Sequence, residues 1–418
     1  AAQTGTSGEV GNTAVGYQAL TAFTEGDHTT AIGYQAGKAQ VDGYDNTYIG
    51  ARSGQANAVG DGNVTLGDRA LYSDTSGHRT IAIGKDALYA FSGSGTTVYN
   101  SDITKIIAIG YHAAYYMGST PGGSFPNATR SINNIVIGYH AAWSHYDGGS
   151  NVIIGTEAVK GIGNHTQASV YIGESSGQNV ASGSYNVAVG AYTHRFATGS
   201  YNTFVGYEAG RGSLTSAPFS SGQNNTALGY RSLYGFTTGY SNVAIGYQAA
   251  DAMTTSFKNV AIGDSALSSD DVGAGHIAIG GNALVTQNFA SVNNEFEANI
   301  SIGNKSSHNN TTGNMNVVIG TAAKYTDDEG NQTTAIGHQA MYSQNMASST
   351  TTSNVGVGHK VGYYNVTGTG NTWLGYQVGV GASGNSNSNN TAVGNTALTS
   401  ITTGNQNTVM GASAGRNI

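Results

Sequence analysis

The sequence predicts an all-β chain, a parallel β-solenoid of about 22 coils, and three observations carry that prediction. The segment NTAVGYQAL, from Asn12 to Leu20, returns as TTAIGYQAG from Thr29 to Gly37 and then recurs along the whole chain. Its glycine gives the count: Gly16, Gly33, Gly50, Gly67 and Gly84 open a series of 22 that closes at Gly411, and thirteen of the 21 intervals are 17 residues. A period in this range marks a solenoid, so one repeat domain over 1–418 replaces the several globular domains that 418 residues would otherwise suggest. The remaining observations are alternation around that glycine and turn-rich segments between copies.

The repeat reads N-[TVI]-x-[VILM]-G-x-x-[AS]-x. Its second position is β-branched in all 22 copies and its fourth is Val, Ile, Leu or Met in all 22, which is a short strand with an apolar face. We expect these two positions to form the interior of each coil. Positions one, three and five hold Asn in 16 copies, Ala in 11 and Gly in 22; across all five positions no Asp, Glu, Lys or Arg occurs. A charge-free strand is expected to be covered on both faces. The face carrying Asn242, Ala244 and Gly246 is therefore expected to meet another copy of the chain.

After the glycine, two positions admit charge and the third is Ala or Ser in 19 of 22 copies, which predicts an outer, half-wet strand. Segments such as Ser73–Thr80 and Phe236–Asn242 are built of turn residues and close each coil. Stacked coils put the recurrent Asn in register, where amide ladders are expected. Longer intervals predict loop insertions at 89–105, 115–133, 211–224, 285–298 and 342–353, and all three prolines lie in them.

Composition excludes several classes of function. Charged residues are 9% of the chain and the net charge is −7 with no basic run, so no nucleic-acid partner is expected. With no cysteine there are no disulfides and no Cys-based metal site. No stretch approaches the roughly 18 apolar residues of a membrane span. No membrane insertion is expected, and the chain is read as a fragment or processed piece of something longer.

The copies NVAIGYQAA, NVAIGDSAL and NTAVGYQAL resemble the head repeats of YadA-like trimeric autotransporter adhesins, and are very similar to repeat arrays of bacteriophage tail fibres. The resemblance covers essentially the whole chain. It implies a left-handed β-roll assembled as a homotrimeric rod, with the uncharged strand turned toward the threefold axis. The adhesin repeat is usually shorter than 17 residues, and no coiled-coil stalk or anchor barrel is expected to follow, so the fibre is the favoured expectation. The implied setting is a virion tail or the extracellular space, and the implied neighbours are other tail or fibre proteins.

Candidate chemistry was weighed residue by residue. His112 and His140 share one motif position in successive coils, as do His338 and His359, but no third or fourth ligand accompanies them, so no metal and no cofactor is expected. Carboxylates at Asp270 and Asp271, at Asp327, Asp328 and Glu329, and at Glu295 and Glu297 could serve glycan cleavage. All fall in turn segments and are expected to be solvated, so no catalytic residue and no enzyme activity is expected. Aromatic residues gather around the two long insertions, and Tyr115, Tyr116, Phe125, Trp143 and Tyr146 are the expected receptor contacts. Their rings suit a bacterial surface polysaccharide or an outer-surface protein; the alternative is that they pin the loops. The expected function is a shaft or receptor-binding segment of a phage tail fibre. The alternatives are a bacterial trimeric surface adhesin or extracellular filament, a glycan-degrading tailspike, and an ice-binding solenoid, the last weakened because only nine copies carry Thr at position two.

Overall fold

A computed structural model describes residues 11–91, 105–117, 133–145, 148–161, 166–180, 182–213, 220–289, 298–346, 348–384 and 386–416. These residues form a parallel β-solenoid of about 20 turns, and no helix occurs among them. The chain groups into two compact units, 1–208 and 209–418.

In the first unit, three-residue strands begin at Thr13–Val15 and Thr30–Ile32 and continue to Thr203–Val205, each paired in parallel with the next. In the second, the series runs from Thr226–Leu228 to Thr408–Met410. Motif position pairs with the same motif position throughout, as in Val243↔Val260, Ala244↔Ala261 and Ile245↔Ile262. A separate two-stranded parallel sheet joins Gly330–Asn331 to Thr350–Thr351 within the expected 342–353 insertion. The cores of the insertions at 92–104, 118–132, 214–219 and 290–297 lie outside the described residues.

The strand faces are the reverse of the sequence expectation. Position three points inward: Ala31, Ala82, Ala188, Ala244 and Ala261 are fully buried within the single chain. Positions two and four point outward, and their exposure reaches 56% at Val15 and 48% at Leu66. The inward face is the one that carries Asn, whose amide bonds the backbone of neighbouring coils; alternation then puts position three inside beside it, and the absence of charge that suggested a partner is what a buried lumen also demands. Asn242 and Ala244 therefore belong to the coil's own core.

Asn earns its position by satisfying backbone. Asn242 Nδ2 donates to Ser256 O at 2.8 Å, while Asn242 Oδ1 accepts from Asn259 N at 3.0 Å. Asn225, Asn242 and Asn259 repeat this in register, as do Asn354, Asn371 and Asn390, giving the expected amide ladders. Each buried amide pairs one N–H and one C=O that the tight corners would otherwise leave open.

The motif glycine is required twice over. Gly246 has φ +134°, a region that L side chains avoid, and a methyl group on it would collide with the carbonyl oxygen of Gly263. Further corners along the coils are left-handed too, most of them without glycine, for example Gln248 at φ 49°, Ala250 at φ 54° and Lys258 at φ 57°. The segment after the glycine is thus a run of turns; the second strand expected there does not form.

Interior bulk is matched across coils. Where position three is large, glycine stands four residues after the motif glycine: Trp373 is fully buried and occupies space that side chains at Gly362 and Gly379 would need. Tyr48 stands in the same relation to Gly37 and Gly54. Where position three is Ala, that site carries Leu in six of 11 copies, as at Leu267 and Leu398.

Candidate functional site

Tyr115 and Trp143 each lie five residues after a motif glycine, so they stand on a corner of the regular coil and not on the inserted loops. The same column holds Tyr72 and Tyr89. Coils stacked at ~4.8 Å bring these rings into face-to-face contact: Tyr72–Tyr89 and Tyr89–Tyr115 centroids are each 4.9 Å apart. Tyr116 closes the cluster edge-on, 4.6 Å from Tyr115 and 5.5 Å from Trp143. The structure thus brings together Tyr115, Tyr116 and Trp143, all half-buried; Phe125 and Tyr146 lie outside the described residues.

Electrostatics tie the stack to its neighbours. Asp86 is buried and receives Arg69 through Nε and Nη2, each at 2.8 Å, with His112 Nε2 3.3 Å away. Arg69 also lies 5.1 Å above the Tyr89 ring, a cation–π contact. Burial pulls the His112 pKa down, with Asp86 opposing, and burial pulls His140 down as well. The two imidazoles stack at 5.0 Å, and His338 and His359 stack at 5.3 Å. Burial pushes the Tyr115 hydroxyl up to about 12, so it stays a neutral donor. Among the described residues no group of three or more His, Cys, Asp or Glu is placed to hold a metal ion.

This geometry limits what the aromatics can do. Ring faces inside the stack are spent on each other, so edges, hydroxyls and the terminal faces are what a ligand would meet. Tyr72 also lines a groove of about 660 Å³, together with Ala22, Lys38, Ala39, Gln55 and Ala56. Three alanines make its floor, and Lys38 and Gln55 supply polar groups. Tyr72 was missed in the sequence because it precedes the insertions; counting five residues from each motif glycine would have found it.

The carboxylates correct a second expectation. Asp270 and Asp327 are fully buried and not solvated, because both stand seven residues after a motif glycine in a column that faces the lumen. Asp74 shares that column and is buried too.

The outer strand face exposes apolar side chains in both units. In the first unit it exposes Val15, Ile32, Val64 and Leu66, flanked by Tyr17 and Tyr34; in the second, Leu228, Ile319, Val355 and Leu374, flanked by Tyr230, Tyr247 and Tyr376. Comparison with protein families, with curated proteins and with solved structures finds no match to the chain.

Proposed function

We propose that the chain is a non-enzymatic structural and adhesive protein, a segment of a homotrimeric fibre of the phage-tail type that contacts a bacterial surface. The observation that carries this reading is the outer strand face. Soluble monomers seldom leave contiguous apolar surface on this scale, and here Val, Ile and Leu recur with no charge at the first five motif positions of any copy. Such a face is suited to burial against the same face of further copies. The number three and the left-handed coil follow the resemblance to YadA-like heads and fibre arrays, while the 17-residue repeat as the unit rests on the spacing of the motif glycines. On this reading the threefold axis lies against positions two and four, not against Ala244.

The test combines Leu66→Asp, Leu228→Asp and Leu374→Asp in one chain. The native protein should sediment as a trimer, and the variant as a folded monomer, because the lumen is untouched while desolvated carboxylates oppose association. A monomeric native protein would overturn the assembly. Replacing Tyr115, Tyr116 and Trp143 by Ala in the trimer should abolish binding to cells or their surface polysaccharide; unchanged binding would make this segment a spacer.

A further inference from the structure

Lys324 has a charged side chain in an apolar place. It stands four residues after Gly320, where other coils carry Leu267 or Leu398, and it is fully buried. Its Nζ lies 2.9 Å from Asp327 Oδ2, 3.1 Å from Asn310 Oδ1 and 3.2 Å from Gly330 O. Asn310 belongs to the preceding coil and is also fully buried. Its Nδ2 is held by Gln287 Oε1 at 2.5 Å and Gly313 O at 2.8 Å, so the carbonyl side of the amide is the side turned to the lysine. Asp327 is fixed in turn: Oδ2 accepts from Gln344 Nε2 at 2.7 Å, and Oδ1 accepts from Gly330 N at 3.1 Å.

An amine, a carboxamide and a carboxylate thus share one dry pocket, with the amide carbon one bond beyond an oxygen that the amine already touches. We propose that Lys324 and Asn310 join in an isopeptide bond that the chain forms itself, with Asp327 as the proton carrier. Asp327 takes one proton from Nζ, and the freed lone pair attacks Cγ of Asn310. The Nζ–Cγ bond forms and the Cγ–Nδ2 bond breaks. The second proton shed by Nζ goes to the departing nitrogen, which leaves as neutral ammonia; Asp327 keeps the first proton, so no unpaired charge is left in the buried pocket. Nothing is oxidised or reduced.

Three physical factors favour the step. Fixed contact replaces a bimolecular encounter, which is the largest gain open to such a reaction. All three side chains are fully buried, which keeps bulk solvent from competing as nucleophile. Burial lowers the Lys324 pKa against the opposing pull of Asp327, which makes the neutral amine accessible. The product is a neutral amide where a costly buried ion pair stood. It ties one coil covalently to the next.

The experiment is the intact mass of the purified, denatured chain, followed by peptide mapping. The native protein should be lighter than its sequence by one ammonia, and digestion should give a branched peptide containing both Asn310 and Lys324. Asp327→Ala and Lys324→Met should each show the mass of their own sequence, with the two peptides separate. A native mass equal to the sequence mass, or a deficit of one water with Lys324 linked to Asp327, would overturn the proposal. That readout needs no variant to fold, and it is independent of trimerisation and surface binding.

Discussion

At the scale of single residues, the coil sorts side chains by size and by the backbone groups they can satisfy. The column seven residues after the motif glycine shows this best. It holds apolar Phe23, Phe236 and Met253 in some coils, and Asn57, Asp74, Asp270, Asn310, Asp327 and Asn365 in others, all buried. The polar members cap a turn: Asp270 Oδ1 accepts from Gly273 N at 2.9 Å, and Asp74 accepts from Gly77 N. Asn can cap without charge; Asp cannot. Asp327 has Lys324 beside it, whereas burial pushes Asp74 up to about 6 and Asp270 up to about 7. The sign follows. A carboxyl whose folded pKa is raised favours folding while protonated, and that stability is lost as pH rises from about 4, the unfolded value, through the folded pKa. His276, 3.9 Å from Asp270 and lowered to about 4 by burial, acts in the opposite sense as pH falls below its unfolded value. The difference between native chain and Asp270→Asn isolates the aspartate. The Asn variant should be the more stable by on the order of 3 kcal/mol at pH 8, with the gap closing toward pH 4. Urea denaturation across that range measures it, and a gap independent of pH would show that Asp270 is not protonated in the folded coil.

At the scale of one coil, bulk is conserved across two positions and two neighbouring coils. Trp373 fills a lumen cleared by Gly362 and Gly379, whereas the coil of Ala261 closes its lumen with Leu267. Both arrangements use a left-handed corner, Gly379 at φ 61° and Leu267 at φ 52°. Trp373→Ala alone should cost about 3–5 kcal/mol, the usual range for emptying a core of a large aromatic. Adding Gly362→Leu and Gly379→Leu to it should restore most of that stability, while the two Leu changes without Trp373→Ala should be severely destabilising through overpacking. Additive costs in a thermal denaturation series would refute the compensation. This pairing was open to a reader of the sequence, since Tyr48 with Gly54 and Trp373 with Gly379 recur at one spacing. The strand, its register and its amide ladder were legible for the same reason: they depend on neighbours a fixed distance along the chain. The direction of the faces was not. Periodicity of two separates Ala244 from Val243 and Ile245 but cannot say which side is inside; the backbone bonds of Asn242, on the same face as Ala244, decide that. Nor could spacing reveal that Asp270 and Asp327, in segments rich in turn residues, point inward.

At the scale of the whole molecule, a solenoid is a sum of nearly equivalent interfaces between neighbours, so its stability should respond to whole coils and not to chain length. Excising Val243–Asn259 would join Asn242 to Val260. The motif then reads Asn, Val, Ala, Ile, Gly as before, Thr226 meets Val260 where it had met Val243, and the outer apolar face runs on without a gap. Every copy in a homotrimer would shorten alike, so contact between copies would keep its register. Deleting Ala244 alone does the opposite. It shifts one strand by a residue, turns Val243 or Ile245 into a lumen that admits Ala, and pulls Gly246 out of line with Gly229 and Gly263, where no side chain fits. Removing one residue should therefore cost more than removing the whole coil. The excised chain should fold, unfold cooperatively and keep its association state with a modest loss of stability; the Ala244 deletion should show a lower midpoint and local protease cleavage around the altered strand. An excised chain that fails to fold beside a tolerant single deletion would mean that the coils are not interchangeable units.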